Sequence, residues 1–315
     1  MPGVRQVHQN AVLTNVAIGY HPTGFIAETI FPVLTVAKES DKYYIWNRHE
    51  PFRRENTLRA DGAESNEVGF SLSTSTYQAE EYALKIGVTD RQKANADSVL
   101  RLKIAKTQRL AEKLLVDLEY RVATLLQTQA NWASTNRVQL SGTDQFNNAS
   151  YVTAGATTSI EYRVDVAKEA VRKQIGREPN TIIIPSAVAK VIKRDATVRD
   201  LIKYTHADLL VDGDLPPTLW GLKVVIPKAT YCSTVEGAST QTMADIWGKH
   251  MILLYANPNA AIDDVSAGYI FRSRNWQTKE WREEEKSRDV VETGYIQDEK
   301  IVSNVAGYLI EDCIA

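Results

Sequence analysis

Little in this sequence marks a chemical site. Only two cysteines, Cys232 and Cys313, occur in 315 residues, and they share no metal-type spacing. A disulfide-stapled scaffold is therefore excluded. A single Cys232–Cys313 bridge stays open, although a reducing cytosol fits the usage better. No apolar run approaches the ~20 residues that cross a bilayer. The opening Met1-Pro2-Gly3-Val4-Arg5-Gln6 lacks the apolar core of a signal peptide. Charge of one sign is also missing: 37 Lys and Arg against 39 Asp and Glu leave a net −2. Such a chain has no global basic field with which to grip nucleic acid over its whole surface, although local basic faces remain allowed. The five histidines (His8, His21, His49, His206, His250) show no paired spacing. No Gly-x-Ser-x-Gly elbow, phosphate loop or dinucleotide fingerprint occurs. What remains is ordinary globular composition, 43% hydrophobic and 24% charged, long enough for one large domain or two smaller ones.

Residues 25–90 are the most informative stretch. Phe25-Ile26-Ala27-Glu28 leads into Ile30-Phe31-Pro32-Val33 and a strand-like Lys42-Tyr43-Tyr44-Ile45-Trp46. A charged excursion follows through Arg48, Glu50, Arg53, Arg54, Glu55, Arg59, Asp61, Glu64 and Glu67, with Asp61-Gly62 as a turn signal. The chain returns through Phe70–Thr76 into Tyr82–Ile86. This reads as a hairpin over 41–86 that is too long and too charged to bury itself. A lone two-stranded hairpin is marginal in water, so such an arm gains order by lying on another subunit. Gly62, Gly69 and Gly87 are its expected hinges.

Beyond the hairpin, Asp97-Ser98 precedes a helix over 98–130, with Ala111, Leu114, Leu115, Leu118, Val122, Leu125 and Leu126 as one buried stripe. Residues 131–158 read as loop. A second amphipathic helix spans 159–175 and stops at Gly176. Thr181–Pro185 is a buried strand. Ser186 is the expected cap of a helix to Lys193, and Thr197 of another to Lys203. Strands follow at 222–227, 245–247, 251–255, 269–272, 289–295, 300–302 and 307–310. The charge-dense run Trp276–Arg288 reads either as a solvated face or as an intersubunit contact whose mixed signs set register.

Six stretches, in this order, resemble the major capsid protein of tailed bacteriophages, the Hong-Kong-97-type fold shared with encapsulins. They are Phe25–Val33, Thr76–Leu84, Asn180–Val188, Leu219–Val225, Ile246–Lys249 and Gly307–Asp312. The resemblance implies an α+β fold divided into an N-terminal arm (1–40), an extended β-hairpin loop (41–86), a peripheral domain with the spine helix 98–130 (87–179), an axial α/β domain (180–256) and returning strands of the peripheral domain (257–315). It implies a virion shell subunit, assembled in the host cytoplasm into hexamers and pentamers around double-stranded DNA. Scaffolding, portal and decoration proteins are further partners, and no membrane or cofactor is implied. The chain starts almost directly with its arm, so any scaffold is expected to be a separate protein. Some family members cross-link through a lysine on the extended loop; here no lysine lies between Trp46 and Glu81.

On this reading the intersubunit contacts fall on Arg53, Arg54, Arg59, Asp61 and Glu64 in the hairpin, and on Asp212 and Asp214 at the axial tip. The basic face Lys103, Lys106, Arg109 and Lys113 of the spine helix is either plainly solvated or faces packaged DNA without reading its sequence. Two rivals remain. An encapsulin-type compartment shell has the same fold with protein cargo. A soluble metal-dependent enzyme would use Asp208, Asp212 and Asp214, a grouping that otherwise reads as a solvated turn.

Overall fold

The computed structural model describes residues 8–20, 24–45, 53–69, 73–96, 98–148, 150–151, 157–203, 215–257 and 265–315. In chain order these form β1 (His8–Gln9), α1 (Ala11–Gly19), α2 (Ala27–Ile30), β2 (Val33–Thr35), β3 (Ser40–Ile45), β4 (Ser73–Gln78), β5 (Glu80–Thr89), α3 (Asp90–Ala94), α4 (Val99–Gln127), β6 (Arg137–Gln139), α5 (Ile160–Ile175), β7 (Thr181–Ile183), α6 (Ser186–Ile192), α7 (Ala196–Lys203), β8 (Thr218–Leu219), β9 (Leu222–Val225), β10 (Thr230–Cys232), β11 (Met243–Asp245), β12 (Met251–Leu254), β13 (Gly268–Glu283), β14 (Arg288–Ile301) and β15 (Gly307–Glu311). Two sheets dominate. One runs β1-β13-β14-β5, with β2 also on β13; the other runs β6-β15-β12-β7-β9-β8.

Helix α4 is the spine. Ser98 caps it by accepting from the Arg101 amide, and its buried stripe runs Leu110, Ala111, Leu114, Leu115, Leu118, Val122, Ala123, Leu126. At 1.5 Å per residue it spans about 44 Å, crossing from the five-stranded sheet to the six-stranded one. Leu114 and Leu115 pack with Trp276 and Tyr295 of the first. Leu118, Val122 and Leu126 join the main core with Ile252 and Leu309 of the second and with Trp247 in the turn before β12. Helix α5 ends where expected, because Gly176 takes φ +69° and returns its amide to the Arg172 carbonyl. The caps of the next two helices differ from expectation. Pro185, not Ser186, is the N-cap of α6, and no side chain caps it. Helix α7 is capped by Asp195, which accepts from the amides of Thr197 and Val198, so Thr197 lies inside the helix. The central strands β7, β12 and β15 are buried along their whole length, which is why apolar residues stand at successive positions in Ile182-Ile183, Met251–Leu254 and Tyr308–Ile310.

Three expectations change. The described part of the N-terminal segment is not free: it wraps its own chain. Strand β1 pairs with Glu280 and Lys279 near one end of β13. Leu13 of α1 is buried with Leu110 and Val291, and β2 runs parallel to Ile270–Arg272 near the other end of β13. Second, the hairpin is shorter than 41–86. The β3–β4 ladder joins Ser40–Ile45 to Ser73–Gln78, and Glu80–Thr89 then leaves it to pair with β14 over ten residues. Gly87 is therefore no hinge; it sits in that ladder opposite Val290, with the Arg288 side chain packed over it. Third, the stretch 257–315 does not stay together. Strands β13 and β14 belong to the five-stranded sheet, whereas β15 inserts between β6 and β12. The β13–β14 ribbon also carries two register shifts, between Arg272 and Arg274 and between Arg274 and Gln277. Such bulges bend a ribbon, and here they accompany Trp276 seated against Tyr295 at 4.8 Å.

Candidate assembly interface

The β3–β4 hairpin is anchored at its base and open at its tip. Tyr77 stacks on Phe271 at 4.7 Å, Tyr43 lies 5.2 Å from the same ring, and both tyrosines are buried with Val36, Tyr269 and Val302. The Tyr77 hydroxyl donates to the Lys38 carbonyl, and the Gln78 amide to Asp298 at 2.9 Å. The alternation of the strand explains this: Tyr43 and Tyr77 share the inward face, while Tyr44 points out. Residues 53–69 form no ladder and are exposed throughout. A turn at 60–63, with Gly62 at φ +76°, folds the tip back. Asn66 donates across to the Asn56 carbonyl at 2.7 Å, and Arg59 to that of Ala63. All five expected contact residues (Arg53, Arg54, Arg59, Asp61, Glu64) lie here. Among the described residues neither they nor Glu55 and Glu67 make an ion pair within the chain. Leu58 is 83% exposed and Val68 65%.

Behind the hairpin, Glu119 joins three parts of the chain. Its fully buried carboxylate accepts from the Ile26 amide at 2.9 Å, the Ala27 amide at 2.8 Å and the Trp247 indole at 2.6 Å. It thus supplies the N-terminal cap that α2 lacks from its own residues, and it ties the spine to both the N-terminal segment and the turn that leads into β12. Burial pushes its carboxyl above the usual range, opposed by the three donors. The sequence reading missed this residue. The available signal was a carboxylate on the apolar stripe, between Leu118 and Val122.

Two charged networks brace the five-stranded sheet. Arg121 forks onto Glu299 at 3.0 and 3.2 Å, pairs with Asp117 and lies 3.7 Å over the Tyr82 ring. Glu299 accepts from Gln297, Gln297 from Arg272, and Arg272 reaches Glu28 at 2.6 Å. At the far end, Asp289 meets Lys93 at 2.7 Å and Lys103 at 3.2 Å, and Arg282 forks onto Asp90 at 2.5 and 2.6 Å. The charged run Trp276–Arg288 is thus largely paired within its own chain. Of the basic spine residues, Lys103 is held by Glu280 and Asp289, and Lys106 by the Gly87 carbonyl and Gln92. Arg109 and Lys113 are exposed.

The Arg282 and Lys93 hydrogen bonds hold the Asp90 carboxyl far below its ordinary value. A depressed folded pKa means stability present above the unfolded value, near 3.9, and lost as pH falls through the folded one. Hydrogen-exchange protection of the 282–289 turn, corrected for intrinsic rate, is expected to hold to about pH 5 and fall below about pH 4. Asp90→Asn should show the reduced protection already at neutral pH; wild-type protection in that variant would refute the assignment.

Asp208, Asp212 and Asp214 lie outside the described residues. Among the described residues no group of three or more His, Cys, Asp and Glu is placed to hold a metal, and no helix is long and apolar enough to cross a membrane. Cys232 is exposed, Cys313 is buried, and both are free thiols.

Residues 73–274 match the family described as phage capsid protein. The major capsid protein of Burkholderia phage BcepMu is 28% identical over 305 residues, covering 95% of this chain and 94% of that one. Among solved structures, a phage-related protein from Bordetella bronchiseptica RB50 superposes with TM-score 0.74 at 23% identity, over 97% of each chain. The capsid of cyanophage P-SCSP1u superposes with TM-score 0.62 at 12% identity, over 90% of this chain and 86% of that one. At these identities the two structures speak for the fold, and the family match favours a phage capsid over an encapsulin. The chain belongs to the phage capsid protein family: it is the major capsid protein of a tailed phage, a structural protein of the virion with the Hong-Kong-97-type α+β fold.

Proposed function

We propose that each subunit of this shell lays residues 53–69 on a neighbouring copy, building hexamers and pentamers that close around double-stranded DNA. The observation that carries this is the tip itself: Arg53, Arg54, Glu55, Arg59, Asp61, Glu64 and Glu67 are all exposed and, among the described residues, have no ion partner of their own. A segment so solvated gains order only from outside contacts. Folding of the tip and assembly are then coupled by mass action. In this reading α4 and the five-stranded sheet form the peripheral part. The six-stranded sheet, including β6 and β15, forms the axial part. Arg109 and Lys113 are the spine side chains left to meet DNA phosphates, while Lys103 and Lys106 serve the subunit's own sheet.

Negative-stain electron microscopy of the expressed chain tests this, alone and together with a candidate scaffold from the same genome. Closed shells or six- and five-membered rings are expected in at least one of the two preparations. Discrete monomers in both would overturn it. The lack of lysine between Trp46 and Glu81 gives a second expectation. Boiled particles should run as a single band near 35.2 kDa on denaturing gels. A ladder of higher bands would show a covalent cross-link that this chemistry does not supply.

A further inference from the structure

Strand β5 is the outer strand of the five-stranded sheet: β14 pairs with it on one side, and no described strand pairs with it on the other. A ten-residue edge strand with free amides and carbonyls is a template for another strand. Among the described residues this edge is met by a side chain where the Lys106 ammonium takes the Gly87 carbonyl at 2.9 Å. Toward its start, Ala83, Leu84 and Lys85 are exposed. Leu84 lies, by strand alternation, on the same face as Tyr82 and Ile86, the face turned to the spine.

From this edge we infer that β5 receives residues 53–59 of a second copy as an added antiparallel strand, in the register that sets Thr57 opposite Ala83. The inference rests on the proposed docking of the tip and names its receiving site. One register satisfies several demands together. It places Leu58, whose side chain has no cover in its own subunit, opposite Tyr82 and diagonal to Leu84. It places Glu55 opposite Lys85 and Arg59 opposite Glu81, two opposite-sign cross-strand pairs. It ends at Gly87, where Lys106 already occupies the edge. A slip of one residue moves Leu58 to the other face, beside Glu81 or Ala83. A slip of two toward the start of β5 sets Arg53 against Lys85, a like-charge pair. A slip of two the other way leaves Glu55 opposite Gly87 and unpaired. The segment is suited to the role because it is exposed and without a ladder of its own. Glu81 also pairs with Arg274 within its subunit, so an incoming Arg59 would share that carboxylate.

Cysteine pairs read the register. In a Cys232→Ser background, which removes the exposed native thiol, Thr57→Cys with Ala83→Cys should give disulfide-linked multimers on non-reducing gels of assembled particles. Directly opposed residues stand about 5.5 Å apart at Cα, within disulfide range. Thr57→Cys with Lys85→Cys, displaced by two residues to roughly 9 Å, should not link. Shells that form while the first pair stays unlinked, or while the displaced pair links instead, overturn the inference. Where the cysteine variants fail to assemble, charge exchange decides. Glu55→Lys should lower shell yield, and Glu55→Lys with Lys85→Glu should restore it; absence of rescue overturns the pairing. Failure of the unaltered chain to form particles with or without scaffold would instead remove the docking reading beneath it.

Discussion

Replacing residues 53–69 by a short Gly-Ser turn is expected to leave a folded subunit that forms no closed shells. The structure separates the two consequences. What holds the hairpin to its own chain lies at its base, in the Tyr77–Phe271 stack, the buried Tyr43 and the Gln78–Asp298 hydrogen bond. None of that is touched. What is removed is exposed charge plus Leu58 and Val68, both mostly exposed. Exposed positions of this kind usually change stability by no more than about 0.5 kcal/mol each, so the melting temperature should move by only a few degrees. Shell formation should fall to background, because a closed shell multiplies one contact over every subunit. An unchanged yield of shells would mean that the tip is dispensable and that the closing contacts lie elsewhere. A large loss of melting temperature would mean that the tip has an intrachain role.

Glu119→Ala is expected to be among the most damaging single substitutions in the chain. It strips the acceptor from the Ile26 and Ala27 amides and from the Trp247 indole, all in the buried interior. Each orphaned buried donor costs about 1–3 kcal/mol. These costs do not simply add, and a loss of about 3–5 kcal/mol is the expectation, with a melting temperature lower by on the order of 10 °C. Glu119→Gln keeps the shape and one acceptor oxygen. With that oxygen toward Ile26 and Ala27, its amide faces the Trp247 indole, donor against donor, so a smaller loss of about 1–3 kcal/mol follows. Thermal unfolding of both variants checks the order; Ala no worse than Gln would refute the role given to the carboxylate. The pH sign is opposite to that of Asp90. Burial raises the folded pKa of Glu119, so its contribution is greatest below the unfolded value and is lost as pH rises through the folded one.

The local features of this fold were legible, and the non-local ones were not. Ser98, the Leu114–Leu118–Val122 stripe and Gly176 carry their own helix signals, and α4 and α5 appear within a few residues of where those signals put them. The strand-like runs Lys42–Trp46 and Phe70–Thr76 on either side of a charged stretch likewise mark a hairpin. But the same propensities make Glu80–Thr89 a strand whether it pairs with its hairpin partner or with β14. Only register against residues some two hundred positions away decides that. Strand β1 is two residues long and pairs with positions 279 and 280; nothing within its own window announces an attachment so distant. Helix capping failed for a smaller reason. Ser186 and Thr197 are good cap residues, but Ser186 falls one position inside its helix after Pro185, and Asp195 stands two positions before Thr197 with a carboxylate that accepts two amides. At the candidate interface, the charged tip was visible because it is local and lacks compensating apolar residues. Glu119 was passed over because periodicity sorts residues by average face and treats one carboxylate on an apolar stripe as noise.

In the proposed assembly the tip of each subunit belongs to its neighbour. Cryo-electron microscopy of the assembled shell tests it most directly. Continuous density is expected for residues 53–69, leaving the Tyr43–Tyr77 base and ending on an adjacent subunit. Density that folds the same residues back onto their own chain, in a closed shell, would contradict it.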